Sequence, residues 1–432
     1  MSKKLSLTSA IFINLNVMIG TGIFINTYDL ATTTGAAGFL LYPMVGLCML
    51  PLIAVTGKLL THFPTGGLYA FGKSHSPFLG FLSCWSYFFG KLASCTVMLS
   101  VGATMLQKLI PSLQSYSISS MCLMILALFT MLNLQNMKVG MIVQSFFLTS
   151  KSIPILLAIV AGILLFDSSS FCADQFIWQQ MPMNIPLVLY CLAGFETACA
   201  LGRTIENPEV NGPKAVYYSF GCIMILYGIF QACVYANTHD LLANITGFDG
   251  MFPAIAHKLF HNPVLAQKMT FLLNFAIGSS ALGGAYGILF SNSWNLFTLA
   301  ENRHIAASST ITQLNKHDIP WVAVLLESAT VTMFLLCNQT PFALLALRGT
   351  AALGIVIGYT VSAFAYYTFL QKNNGTTEEF IIAKAAFVTC TLFVASCALN
   401  FLKTGLAPLL LFVAILLLGT MMFCYKKSRQ HA

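Results

Sequence analysis

Charge is what this sequence has least of. Asp, Glu, Lys and Arg make up 8% of its 432 residues, while hydrophobic residues make up 57% and mean hydropathy is +0.79. A soluble domain carries roughly 25% charged residues, so a soluble globular protein is excluded and lipid is the solvent. Paired CxxC motifs and Cys/His clusters are also missing, which argues against a structural metal, and no cofactor is expected. The thirteen cysteines lie almost all in apolar runs, Cys84, Cys95, Cys191, Cys199 and Cys390 among them, where a thiol acts as a small apolar group. Cys172 stands alone in an external loop, so no structural disulfide is expected. No basic tract is long enough for a nucleic-acid arm despite the net charge of +8. Linkers and low-complexity stretches are absent too, so residues 1–432 read as one membrane domain.

What is present is apolar sequence in lengths that cross a bilayer, roughly 20 residues each. Such runs fall near 8–30, 36–60, 78–107, 118–135, 139–166, 184–203, 214–236, 269–299, 319–337, 342–370, 380–400 and 405–425, which predicts an all-α integral membrane protein of twelve helices. The first run is too long for a cleavable signal and lacks a small-residue cleavage site. With the N-terminus cytoplasmic, 14 Lys/Arg fall on cytoplasmic segments, 4 on external ones and 3 inside spans. That is the positive-inside bias, and even parity places the C-terminus in the cytoplasm as well. Loops are short except 167–183, 237–268 and 300–318, and "MFPAIAHKLFH" in the second of these is expected to lie on the membrane surface as an amphipathic turn or two.

Two spans are interrupted in comparable ways. "NVMIGTGIF" sets Gly20 and Gly22 around Thr21 mid-span, and "NIPLVLYCLAGFETACALGR" sets Gly194 and the ionisable Glu196 in the sixth span. Spans five helices apart occupy matching positions in two five-helix repeats of opposite topology, and matched breaks point to a transporter binding site. A broken helix frees N–H donors at the start of its second half, suited to a carboxylate, and carbonyls at the end of its first half, suited to an ammonium. The competing reading of Gly20 and Gly22 is close helix packing.

"IGTGIF", "FPTGGLYAF" after the second span, and "GFET" followed by "ENPEVNGPKA" after the sixth together resemble the amino acid–polyamine–organocation superfamily. "WSYFFGKLAS" and "ALGGAYGILFSNSW" are similar to its L-type light chains and their bacterial relatives. The resemblance implies a LeuT-like fold with broken helices 1 and 6, inverted repeats over about 8–166 and 184–370, and two additional helices over 380–425. It implies alternating-access transport of amino acids or related amines, with the substrate carboxylate at Gly20, the Thr21 hydroxyl and the Gly22 amide. The ammonium would meet the carbonyls of Met18, Tyr190 and Ala193, beside Ile19, with the Tyr190 ring as a gate. Departures are Lys58-Leu59 where the family has Glu-Leu, Trp294 where it has Arg, and "ENR" for "RDG". The loop "QKLIPSLQSYS" lacks the cysteine that links light chains to a heavy subunit, so no such partner is expected, only a monomer or homodimer.

Each ionisable group inside a span costs at least ~2.5–3.5 kcal/mol unless paired or hydrated. Lys151 matches a lysine that replaces the sodium ion in sodium-independent members, and its ammonium would brace carbonyls near residues 17 to 20; snorkelling to the interface is the alternative. Lys91 either faces the pocket, favouring a second substrate carboxylate, or pairs with Glu196. Glu196 is either a proton-sensitive element or a structural hydrogen-bonding group. Arg348 is expected as an outer-gate ion-pair partner or a substrate contact, and Glu327 as a solvated or ion-paired gate residue. His257 and His261, at i, i+4 spacing with no third ligand, read as surface residues. No nucleophile–base constellation appears, so an enzyme is not expected. The reading is a sodium-independent amino acid transporter of the cell membrane, working as an exchanger or a proton-coupled symporter, with neutral substrates first. The alternatives are acidic substrates, or a transport-inactive sensor of the same fold.

Overall fold

Every regular element of the computed structural model is a helix, over described residues 4–165, 168–337 and 341–431. The expected ends at residues 166 and 167 lie outside these. The first apolar run folds as two helices, α1 (Leu7–Met18) and α2 (Gly22–Thr34), bent by 43° at the intervening residues. Then come α3 (Gly38–His62), a short α4 (Gly67–Lys73), α5 (Pro77–Leu109), α6 (Ile118–Asn133) and α7 (Met137–Leu164). The second broken run gives α8 (Met181–Leu192) and α9 (Thr197–Ala200). Beyond it lie α10 (Pro208–Thr238), α11 (Phe248–Leu259), α12 (Pro263–Glu301), α13 (Ser308–Ile311), α14 (Trp321–Cys337), α15 (Pro341–Lys372), α16 (Thr377–Thr404) and α17 (Ala407–His431). Local chemistry sets several starts. Ser76 caps α5 through Leu79 N–H with Pro77 following, and Thr376 with Glu379 forms a capping box on α16.

Among the described residues eight helices are long and apolar enough to cross a bilayer, nine with the bent pair counted as one. Two shorter apolar helices, α6 and α14, accompany them. Core packing centres on α5, which lies against α12 and α15. The α5–α15 approach depends on glycine: a Cβ on Gly90 would sit 3.1 Å from the Ala351 carbonyl and the Gly354 backbone.

The two broken runs lie antiparallel, pinned to each other at both ends. Leu5 N–H donates to Thr204 O (2.7 Å) and Glu206 N–H to Leu5 O (2.9 Å) at one end. At the other, Ala36 N–H donates to Gln175 O (2.8 Å) and Ile177 N–H to Thr34 O (3.2 Å). The breaks are thereby held side by side at mid-molecule. The segment expected to lie on the membrane surface instead folds as α11 and turns its apolar face inward. Phe252 is buried against Phe24 and Phe230, and Lys258–Asp240 and Lys108–Asp249 ion pairs fasten the helix. A protein surface rich in aromatic rings, rather than lipid, covers that face.

Candidate functional site

In an unbroken helix each N–H bonds the carbonyl four residues back, and the breaks reassign those bonds. Gly20 N–H turns to Met18 O (2.8 Å) instead of Asn16 O. Asn16 O is taken by the Lys151 ammonium (2.7 Å), which also donates to Ile19 O. Ser280 on α12 adds its hydroxyl to the carbonyls of Ile19 and Gly20, each at 3.1 Å. Lys151 is fully buried, so it braces the break rather than snorkelling. Met18 O accepts both Gly20 N–H and the Tyr227 hydroxyl (2.7 Å). Both its lone pairs are engaged in this conformation. The same rearrangement leaves the Gly22 amide, at the first residue of α2, without its helical acceptor.

The second break mirrors this. Gly194, at φ +120° where a Cβ is strained, gives its N–H to the Glu196 carboxylate (2.9 Å) rather than to Tyr190 O. Thr197 N–H bonds Gly194 O (3.1 Å) and not Ala193 O. The carbonyls of Tyr190 and Ala193 thus lose their helical donors. Asn14 holds the unwound turn from α1, donating to Phe195 O (2.7 Å) and accepting from Ala198 N–H (2.8 Å).

Glu196 is 2% exposed and receives four donors: Tyr87 hydroxyl (2.6 Å), Tyr359 hydroxyl (2.7 Å), Gly194 N–H and the Lys91 ammonium at 3.0 Å. Lys91, itself 4% exposed, also lies 5.2 Å from the Tyr87 ring centre. The two open readings of Lys91 and Glu196 therefore meet in one ion pair. Between the breaks lies a cavity of about 10 Å³, room for no more than a water, bounded by Gly20, Gly22, Lys91, Met98, Tyr190 and Ala193. Val17, Ile288 and Ile355 add apolar wall, and Met18, Ser94 and Cys191 complete it.

The Tyr190 ring, tied by its hydroxyl to Ser94 (2.8 Å), separates this cavity from a larger one of about 110 Å³. Asp29 and Arg348 face that outer space, both half-buried, with Asn26, Cys397 and Phe401. Among the described residues they close no ion pair within 4.0 Å. The far side is shut by an Arg203–Glu301 ion pair and a Lys73–Asn302 bond of 2.9 Å. Glu327, expected to be solvated or ion-paired, is instead fully buried, and neither carboxyl oxygen has a hydrogen-bond partner. Packing of α14 against α5, α6 and α12 covers it.

Sequence reasoning missed Asp29, although an acid in the last turns of a membrane helix is a signal of the kind that found Glu196. It also missed Asn14, Tyr87, Tyr227, Ser280 and Tyr359. These reach the breaks from helices far away in sequence, and residue type alone carries no sign of it.

A family model described as amino acid permease matches residues 5–430. The aromatic amino acid transport protein AroP of Salmonella typhimurium (strain LT2) is 23% identical over 442 residues, covering 96% of this chain and 94% of that protein. AroP of Escherichia coli O6:H1 is 22% identical over 415 residues, covering 91% and 88%. An uncharacterized transporter of Mycobacterium tuberculosis is 22% identical over 447 residues, covering 99% and 93%.

Proposed function

The chain belongs to the amino acid permease family of the amino acid–polyamine–organocation superfamily, and on that premise we propose a sodium-independent, alternating-access transporter of neutral amino acids. That it is a multi-pass membrane protein that moves amino acids, and not an enzyme, follows from the family. The finer reading is a LeuT-like arrangement of twelve spans in the cell membrane, both termini cytoplasmic. Its repeats cover about 8–166 and 184–370, followed by two additional helices.

The observation that carries the proposal is the Lys151 ammonium on Asn16 O and Ile19 O. A fixed cation engages the carbonyls at the end of α1 that a coupling ion would use. The substrate carboxylate meets the Thr21 hydroxyl and the Gly22 amide, where the N-terminal end of α2 adds its dipole. The ammonium meets the carbonyls of Tyr190 and Ala193, with Gly20 and Ile19 alongside. Tyr190 is the gate between socket and outer cavity, and Asp29 with Arg348 frames the entrance. Lys91, committed to Glu196, offers no charge to an acidic side chain, so neutral substrates are favoured over acidic ones. The wall of Val17, Met98, Ile288 and Ile355 suits an apolar side chain, in keeping with relatives named for aromatic amino acid transport. The socket is shut on both sides here, so a substrate enters by displacing Tyr190.

Thermal unfolding of the purified protein against a panel of single amino acids tests this. Neutral apolar amino acids are expected to raise the melting temperature without sodium. Stabilisation by acidic or cationic amino acids alone would overturn the substrate assignment.

A further inference from the structure

The cavity between the breaks has room for no more than a water, so a substrate side chain enters only where a wall gives way. Much of that wall is held in place. Val17, Ile288 and Ile355 branch at Cβ, which stiffens them at χ1. Tyr190 is tied to Ser94 (2.8 Å), and Lys91 is paired with Glu196 (3.0 Å). The Cys191 thiol accepts from the Asn26 amide (3.2 Å).

Met98 is held by packing, and by its far end. Its side chain is unbranched, turns about three bonds and ends in a polarisable thioether. It lies on α5 one turn beyond Ser94, buried, with its tip against two glycines from other parts of the chain. A Cβ on Gly20 would stand 2.6 Å from Met98 Cε, and a Cβ on Gly284 of α12 would stand 2.7 Å from Met98 Sδ. Both distances are shorter than any Cβ tolerates, so the thioether lies where it does because both positions are glycine. The slot has the first break on one side and α12 on the other, and the side chain that fills it also borders the cavity. A rigid side chain in this slot would fix the size of the socket. A methionine leaves the size adjustable, because its last two atoms swing at little cost.

We propose that the Met98 thioether, cradled by Gly20 and Gly284, is the movable wall of the socket and sets the largest side chain that the transporter accepts. This deepens the reading of the socket as a site for neutral apolar amino acids and rests on it. Small side chains fit with the thioether near its present position. Larger ones, aliphatic or aromatic, fit only when Met98 turns aside, and its sulfur then makes favourable contact with the edge of an aromatic ring.

The test uses the full chain in proteoliposomes in sodium-free buffer, with counterflow of labelled alanine, phenylalanine and tryptophan measured for each variant. The readout is a ratio of substrates, which a loss of folded protein does not move. One methylene more or less in an apolar pocket changes discrimination by about 10- to 200-fold. Met98→Ala is expected to raise the tryptophan-to-alanine ratio by about tenfold or more. Gly284→Ala, which drives the thioether out of its slot, is expected to lower the phenylalanine-to-alanine ratio, and adding Met98→Ala is expected to restore it. If Met98→Ala fails to fold, Met98→Leu replaces it. That side chain stops one atom short of Cε, so a severalfold rise in the tryptophan-to-alanine ratio is expected. Ratios unchanged or lowered in the Met98 variant that folds overturn the proposal, as does a Gly284→Ala defect that the second substitution leaves in place. Absence of counterflow in the wild type overturns the transporter reading, and this proposal with it.

Discussion

Two glutamates lie in the membrane interior of this protein, and their surroundings are opposites. Glu196 collects four donors from α5, α15 and its own unwound turn, whereas Glu327 has the Asn292 amide nearby and no cation among the described residues. Both are buried. The first carboxylate is compensated on every side and serves as a structural knot that holds the second break open. The second lies beside the Cys95 thiol and the Asn292 amide, and among the described residues no ion pair includes it. Burial of an acid in a membrane therefore does not itself define its surroundings; the helices packed around it do.

The comparison is broken most directly at Glu196. Glu196→Ala strands the Lys91 ammonium without its partner, and a broken buried pair costs about 3–5 kcal/mol. Loss of folded protein is expected by size-exclusion chromatography, with partial recovery in a Lys91→Met/Glu196→Gln double variant. Equal yields of the alanine variant and the wild type would show that the knot is dispensable.

Lys151→Met is expected to come next. It orphans the carbonyls of Asn16 and Ile19, each at about 1–3 kcal/mol, and removes the brace of the first break. Uptake is expected to fall by about a hundredfold or more, and sodium is not expected to restore it. Restoration by sodium would mean that the lysine substitutes for an ion without being required.

Tyr227→Phe removes a single donor from Met18 O, at about 1 kcal/mol. A several-fold change in apparent substrate affinity is expected, measured from uptake at graded concentrations. A loss as large as that of Lys151→Met would place Tyr227 inside the socket.

The smallest effect concerns the surface closure. His304 bonds Tyr69 (2.7 Å) and stacks near Phe423, and burial, helped by the Lys73 charge, lowers its pKa to about 4. The folded state thus prefers the neutral ring. Stability is unaffected above about pH 6.5, declines as pH falls through the interval between about 6.5 and 4, and is fully penalised below it. Melting temperatures at pH 7.5 and 5 are expected to differ less in His304→Gln than in the wild type. Identical slopes would remove His304 from the account.

Much of this architecture was legible in the sequence because lipid imposes a simple code. Apolar runs marked the helices to within a few residues, and glycine pairs marked the first break. Gly194 beside an acid marked the second. Lys151 was legible as a candidate brace through the family resemblance, which matches it to a lysine that replaces the sodium ion; its place in an apolar run alone left snorkelling open. What remained hidden depends on contacts between distant helices. Whether Lys91 faced the pocket or Glu196 was a matter of packing between α5 and the unwound turn, and Tyr87 and Tyr359 gave no sign of converging there. Glu327 was expected to be solvated or ion-paired, and only the packing of α14 against α5, α6 and α12 shows it enclosed. The apolar side of α11 was visible in its spacing, but that spacing is the same whether lipid or Phe24 and Phe230 cover it. That Met18 O accepts from Gly20 N–H and from the Tyr227 hydroxyl of α10 was equally hidden.

The central claim, a sodium-independent socket for neutral amino acids between two broken helices, is tested most directly by counterflow. Proteoliposomes containing the purified protein are preloaded with one unlabelled amino acid at a time, and entry of a labelled mixture is followed in sodium-free buffer. Strong stimulation by a few neutral amino acids, unchanged when sodium is added, is the predicted result. Counterflow that appears only with sodium, or none with any amino acid, would contradict it.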